Sequence, residues 1–455
     1  MKQTTKRAAA ILTLAALSAG MLSGCGEKKT NADGVTTVTV WTNSTHTKDV
    51  MTALVADYNE TTGKEKGIKI DYVVQGGDYQ KVLDVAIQSK EVPDLYYPIS
   101  GVREAIKQNV ITALDDMPGG AEFIKKYDGK LVNVANVIDG KTYSVPYNLT
   151  TIGLLYNKDL FKKNGIVDEN GEAKPPKTWD EVAEYAKKCT NPDAKEYGIA
   201  LPLKWGGYFG WDLVQPFFSS LGTTGYDAEK DCYNYSALLP AFQFLNQIKE
   251  DQSYYIGAEG LDNDPARAQF AEGSIAMKLG ASWDVGVLND QFPAKCDWGV
   301  APVPTITGQA EYKQWCSTDP FLVIGDVEDD MKEKVMEVYK WFHDDKVVSK
   351  LYQEGKIIPA DEKLIENTTL ENPSKGWEEF CSFAGNSIGL PPSPSIALEG
   401  DGFAAVGMKI WMGEDAETLL KDLDERAAAA LEKSVSDGKV NLADYKWNNI
   451  DIKAE

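Results

Sequence analysis

The chain has 455 residues, more than one hydrophobic core usually organises, so two or more cores are expected. Its 43% hydrophobic and 25% charged content are those of a soluble globular chain. The formal net charge of −22 becomes −25 when the three cations of the leader, which holds no acid, are removed, and such a surface repels nucleic acid and anionic lipid headgroups.

Residues 1–24 read as an export signal. Lys2, Lys6 and Arg7 form a positive start, and residues 8–22 an apolar run too short to span a bilayer comfortably. The run ends in Leu22-Ser23-Gly24-Cys25, similar to a bacterial lipobox, in which the cysteine takes a diacylglyceryl group and becomes the mature N-terminus. Each buried methylene contributes about 0.8 kcal/mol, so two acyl chains on Cys25 would hold the exported protein at the outer face of the cytoplasmic membrane. Residues 25–34 are small, polar and charged, as in a flexible tether. Cys189, Cys232, Cys296, Cys316 and Cys381 are odd in number and lack Cys-x-x-Cys spacing. The two histidines, His46 and His343, have no ligand-like spacing, so neither metal nor other cofactor is expected.

Residues 35–41 alternate as a first strand, followed by a polar loop at residues 42–47. Val50 or Met51, Leu54, Val55 and Tyr58 share a helical face within residues 48–58. Next come a strand at residues 68–74, a helix at 78–90 capped by Asp78 with Val82, Val85 and Ala86 inward, and a short strand at 94–97. This β-α-β-α-β order predicts a mostly parallel sheet covered by helices, with ligands beyond the carboxyl ends of its strands.

Residues 143–161 are rich in β-branched and aromatic residues but interrupted by Pro146, which cannot donate to a ladder. A segment leaving one sheet and entering another fits this better than one continuous strand. Thr178 to Glu181 forms a capping box for the helix at 180–188. Residues 203–221 mix Trp205, Tyr208, Phe209 and Trp211 with Gly206, Gly207 and Gly210. A helix at 264–272 stopped by Gly273, a strand at 274–279 and a turn at Gly280-Ala281-Ser282-Trp283 follow. Residues 298–305, with Pro302 and Pro304, repeat the apolar-plus-proline character of the first crossing and predict a return crossing there. Strand 321–324, helices 331–343 and 347–355, the rigid Pro391-Pro392-Ser393-Pro394 connector and a long helix at 414–433 complete the chain.

Three islands resemble the extracellular solute-binding proteins that feed sugar ABC transporters, maltose-binding-protein-like. They are Val145-Pro146-Tyr147 with Leu155-Tyr156-Asn157-Lys158, residues 270–277 followed by Gly280 to Trp283, and residues 297–304. The resemblance implies an α/β, two-lobe, periplasmic-binding-protein-like (type 2) fold, each lobe a mostly parallel sheet flanked by helices, joined by hinge crossings. Its expected divisions are residues 35–147 (lobe 1), 148–303 (lobe 2), 304–365 (return to lobe 1) and 366–455 (final segment of lobe 2). It implies a binding protein rather than an enzyme, a monomer that takes a carbohydrate into the cleft and delivers it to membrane permease subunits.

A sugar presents an apolar C–H face and a rim of hydroxyls, so flat aromatics and planar polar groups are the expected ligands. The candidates are Trp283, which matches a family motif, the loop-borne Tyr208 and Trp211, Trp41 at the end of the first strand, and Asn43, Ser44 and Thr45 in the following loop. Tyr147 and Asn148 at the crossing and Phe403 in the final segment complete the set. Trp179, Trp341 and Trp411 sit on helices and are expected to pack. Thr150 and Thr151 stand where malto-oligosaccharide binders often have a carboxylate, and Ile99-Ser100-Gly101 replaces an Asp-Arg pair, so the particular sugar stays open. A non-sugar solute such as a polyamine or peptide is the alternative on the same fold. An exported glycoside hydrolase is another, because paired carboxylates are abundant.

Overall fold

A computed structural model describes residues 34–75, 78–99, 101–319, 321–389, 392–447 and 451–454; the leader, Cys25, Ser100 and Pro391 lie outside the described residues. Strand Thr36–Thr42 alternates buried and half-buried positions and pairs in parallel with Ile68–Val74 on one side and Leu95–Tyr96 on the other. Helix Lys48–Glu60 covers this sheet through Met51, Val55 and Tyr58, a spacing that keeps one apolar stripe inward. Helix Tyr79–Ser89 buries Tyr79, Leu83 and Ala86 instead of the Val85 face, leaving Val85 65% exposed. Asp78 stands before it without a side-chain cap.

The second sheet has the order Trp298–Ala301, Ile152–Asn157, Ile275–Ala281, Tyr197–Ile199. Strands Ile152–Asn157 and Ile275–Ala281 are buried throughout, which accounts for their nearly unbroken apolar sequence. Thr178 and Glu181 form the capping box of helix Trp179–Cys189, and Trp179 stacks on Phe217 at 4.1 Å. A Cβ at Gly198 would lie 2.2 to 2.4 Å from Ala186 backbone atoms, so glycine permits this helix to approach the sheet.

Between these sheets lies a third, in the order Ile358–Pro359, Asn148–Thr150, Gln314–Asp319, Ser387–Gly389. Its two middle strands are the connections between the lobes, and they run antiparallel, Thr150 opposite Ser317 and Leu149 opposite Thr318. The first crossing falls within residues 143–161, as the interrupted pattern suggests. The return crossing is Gln314–Asp319; Trp298–Ala301, expected to be that crossing, is an edge strand of the second sheet. The prolines at 302 and 304 end that strand, and the chain stays against the second lobe through a Thr178–Thr305 bridge before it crosses.

Each lobe's sheet is parallel except for one strand, and that strand is the first one after a crossing. Ile152–Asn157 is antiparallel to both its neighbours, as is Val323–Gly325 in the first sheet. The other strands end at the cleft, whereas a chain arriving from the opposite lobe starts there and must run the other way.

His343 ends helix Lys332–Phe342 in the first core, its ring 5.2 Å from that of Tyr147 on the crossing and 5.6 Å from Phe123. Its Nδ1–H donates to the Tyr339 carbonyl at 2.8 Å, while Nε2 is buried without a hydrogen-bond partner. Burial pushes its pKa down to about 4, outweighing the carbonyl bond that favours the charged ring. A depressed folded-state pKa contributes stability above the unfolded value of about 6.5 that is lost as pH falls through 4, about 3 kcal/mol in all. Urea denaturation at pH 7 and 4.5 is expected to show His343→Gln losing about 2 kcal/mol less than the wild type; equal losses would mean His343 does not cross this range as a buried neutral ring.

Candidate functional site

At the cleft ends of the first sheet, Thr42 closes its strand and Asn43 and Ser44 begin the loop. The turn is held locally: Ser44 N donates to Thr42 Oγ1 at 3.1 Å, and Thr47 Oγ1 donates to the Ser44 carbonyl at 3.1 Å. A cavity of about 220 Å³ brings Asn43 and Ser44 together with His46, Tyr97, Tyr147 and Asn148. Tyr147 is buried and stacked on Phe321 at 4.8 Å, with burial raising its phenol pKa, so its ring is a fixed wall of this cavity.

The second cluster forms where strand Ile275–Ala281 ends. Ser282 N donates to the Thr151 carbonyl at 2.9 Å, tying the strand end to the crossing. Asp284 Oδ2 accepts from Ala281 N at 2.8 Å and Oδ1 from Arg267 Nε at 2.5 Å, which fixes the turn that carries Trp283. Glycine is required at position 280, because a Cβ there would fall 2.8 Å from Asp284 Oδ2. Trp283 is 40% exposed, an unusual state for so large an apolar ring. Trp211, from the π-helical turn Tyr208–Val214, meets it edge to face at 5.1 Å, and Trp315, from the return crossing, lies 5.7 Å from Trp211. Three indoles from three separate segments thus form one surface.

Beneath them Asp212, Asn263 and Lys278 face a slot of about 10 Å³ also lined by Trp205. The Lys278 side chain is 1% exposed; Nζ donates to the Leu279 carbonyl at 2.6 Å and lies 3.8 Å from Asp212 Oδ2. A buried ammonium needs such compensation. Burial raises the Asp212 carboxyl to about 6; Asp284 adds to the rise, and Lys278 and Arg267 only partly oppose it. Asn148 and Ile152, which line the first cavity and the slot respectively, are four residues apart on extended chain, roughly 13 Å. The two clusters therefore flank the hinge at a separation wider than one sugar ring.

Of the sequence candidates, Asn43, Ser44, Tyr147 and Asn148 share the first cavity, and Trp211 and Trp283 share the second cluster. Thr45 is exposed beside the first cavity without lining it. Three candidates belong to packing instead. Tyr208, 2% exposed, lies inside the second core, because its turn directs it inward while Trp211 emerges. Phe403 is held by the rings of Tyr235 at 5.4 Å and Phe242 at 5.9 Å. Trp41 packs beside Tyr79 and Tyr96 in the first lobe, with neighbouring strands on both sides. Trp179 and Trp411 are buried, and Trp341 packs against Tyr58 at 4.9 Å. Sequence reasoning missed Trp315, Asp212, Asn263 and Lys278. Lys278 alone carries a signal, a charge in the middle of an otherwise apolar strand.

A family model described as bacterial extracellular solute-binding protein matches residues 42–348. The sn-glycerol-3-phosphate-binding periplasmic protein UgpB of Brucella melitensis biotype 1 is 26% identical, covering 84% of this chain and 90% of its own. The maltotriose-binding protein of Pyrococcus abyssi is 24% identical over 77% of this chain and 73% of its own. The maltose/maltodextrin-binding domain MalE from Bdellovibrio bacteriovorus bound to maltotriose shares the fold, with a TM-score of 0.63 at 18% identity, covering 88% of this chain and 100% of that one. With the match spanning well over half its length and a two-lobed fold whose crossings adjoin an aromatic cleft, the chain belongs to the bacterial extracellular solute-binding protein family.

Proposed function

We propose that this protein is the substrate-binding component of an ABC importer, and that it captures a neutral oligosaccharide between its lobes and delivers it to the membrane permease. The observation that carries this reading is the Trp211–Trp283–Trp315 surface, open to solvent at Trp283 and adjoining polar side chains. Indole faces suit the C–H face of a pyranose, while Asn43, Ser44 and Asn148 across the hinge suit its hydroxyl rim. The relatives named for maltotriose and maltodextrin favour the same ligand class.

A phosphate ester, the ligand in the name of the Brucella relative, fits less well. Neither cavity is lined by an arginine, and the single lysine, Lys278, is buried against Asp212. Phosphate recognition draws on unspent cationic donors. Ligand touching both clusters favours the closed arrangement by its additional contacts, with the paired strands Asn148–Thr150 and Gln314–Asp319 absorbing the bend. A permease can then distinguish loaded from empty protein by shape. The lipobox-like run adds to this reading a monomer tethered through a lipid on Cys25, and binding without turnover is part of it.

A thermal-shift screen with maltotriose, raffinose, sn-glycerol 3-phosphate and spermidine tests the proposal. A neutral saccharide is expected to raise the melting temperature, since saturation at a hundred times Kd stabilises the native state by about 2.7 kcal/mol. A shift with spermidine or the phosphate ester and none with a saccharide would reject it, as would release of new reducing ends. Trp283→Ala is expected to weaken saccharide binding by about tenfold or more at nearly unchanged stability, because its ring is already partly in water. Phe403→Ala should do the reverse, costing about 2 kcal/mol of stability and leaving affinity intact, by calorimetry and denaturation on both variants.

A further inference from the structure

The slot under the indoles has a composition that ordinary packing does not explain. Asp212 and Asn263 are each 8% exposed and both line the slot, and the nearest charge to Asp212 is Lys278 Nζ at 3.8 Å, beyond hydrogen-bonding distance. Asn263 Oδ1 is buried with no hydrogen-bond partner among the described residues. No protein group pairs with this acceptor, so its hydrogen bond is left for whatever occupies the slot. The cations nearby are in large part engaged. Arg267 donates to Asp284 at 2.5 Å and to Asp264 at 2.8 Å, and Lys278 to the Leu279 carbonyl at 2.6 Å. The slot is thus lined by two acceptors, Asp212 and Asn263, beside the Lys278 ammonium, in a volume of about 10 Å³, room for one water-sized group.

Resting on the proposed function, we infer that this slot is the specificity-determining subsite: one hydroxyl of the bound sugar enters it and shares its proton between the Asp212 carboxylate and Asn263 Oδ1, while the ring lies on Trp211 and Trp283. The acceptor set selects a donor. A carboxylate or phosphate at that position brings a second anion against Asp212 and exceeds a water-sized slot, and an O-methyl group brings added bulk and no proton to give. The subsite therefore takes neutral sugars with a free hydroxyl there and refuses uronic acids, phosphorylated sugars and ethers at the same carbon.

Asp212 also supplies a signature that a purely structural role would lack. The groups facing it are Lys278 from strand Ile275–Ala281, Asp284 from the turn after it, Arg267 from helix Asn263–Ala271, and Tyr208 on its own turn. With its carboxyl raised to about 6, Asp212 is mostly ionised at pH 7.5 and mostly protonated at pH 5. A hydroxyl donates more strongly to the ionised form, so affinity falls as pH falls through 6.

Calorimetric titration of the full exported chain with maltotriose and with raffinose, at pH 7.5 and pH 5, decides the matter for wild type, Asn263→Leu and Asp212→Asn. Asn263→Leu is expected to weaken binding about tenfold while its melting temperature changes little, because no protein group pairs with the acceptor it removes. Asp212→Asn should weaken binding at pH 7.5 and abolish a wild-type loss of up to about tenfold between pH 7.5 and pH 5. Should Asp212→Asn fail to fold, Asn263→Leu with the wild-type pH profile still carries the decision. Wild-type binding that Asn263→Leu retains and that does not change with pH overturns the subsite and leaves the proposed function standing. No binding of either saccharide to the wild type overturns the proposed function and the subsite together.

Discussion

Two strands lying side by side determine much of this molecule. Asn148–Thr150 and Gln314–Asp319 carry the chain out of one lobe and back again, and they are hydrogen-bonded to each other where they pass. A single connection would let one lobe swivel; a paired one resists twist and leaves bending as the easy motion. The same pair fixes the direction of the strand that follows each crossing. It also positions Asn148 beside the first cavity and Trp315 in the cluster of indoles.

Around that hinge the two sides of the cleft recruit their side chains differently. The first lobe presents short polar groups from a loop stiffened by its own hydrogen bonds. The second presents indoles whose placement depends on a buried network of two acids and two cations. Asp284 is its structural member, holding the Trp283 turn on the end of the strand. Asp212 is its poised member, insufficiently compensated by Lys278 at 3.8 Å. Low dielectric makes both roles possible, since it strengthens the pairs that are made and penalises the one that is loose.

The fold was legible wherever punctuation and periodicity agreed. Gly273 ends a helix, strand Ile275–Ala281 follows, and Gly280 permits the turn that exposes Trp283, all readable in order along the chain. Tyr208 and Phe403 were not legible, because an aromatic beside glycine or at a helix start looks the same whether it packs or binds. The return crossing misled for a related reason. Proline ends an edge strand as well as it marks a passage between lobes, so residues 298–304 carried the pattern while Gln314–Asp319 carried the connection. Asp212 and Asn263 lie about fifty residues apart in unremarkable segments, and only folding brings them to one slot. Lys278 is the one local sign of it, since a charge amid IAMKLGA demands a buried counter-charge from elsewhere.

The strand order has a consequence for how the molecule is made. The second sheet draws all four strands from residues 152–301, a contiguous stretch. In the first sheet, Val323–Gly325 is inserted between Leu95–Tyr96 and Ile111–Thr112, more than two hundred residues downstream of both. The first sheet is thus completed only by a strand from beyond the whole second lobe, although loop-closure entropy itself rises slowly with length, by about 0.6 kcal/mol per doubling. Until that strand is in place the first sheet remains in two parts, with the edges of Leu95–Tyr96 and Ile111–Thr112 unpaired.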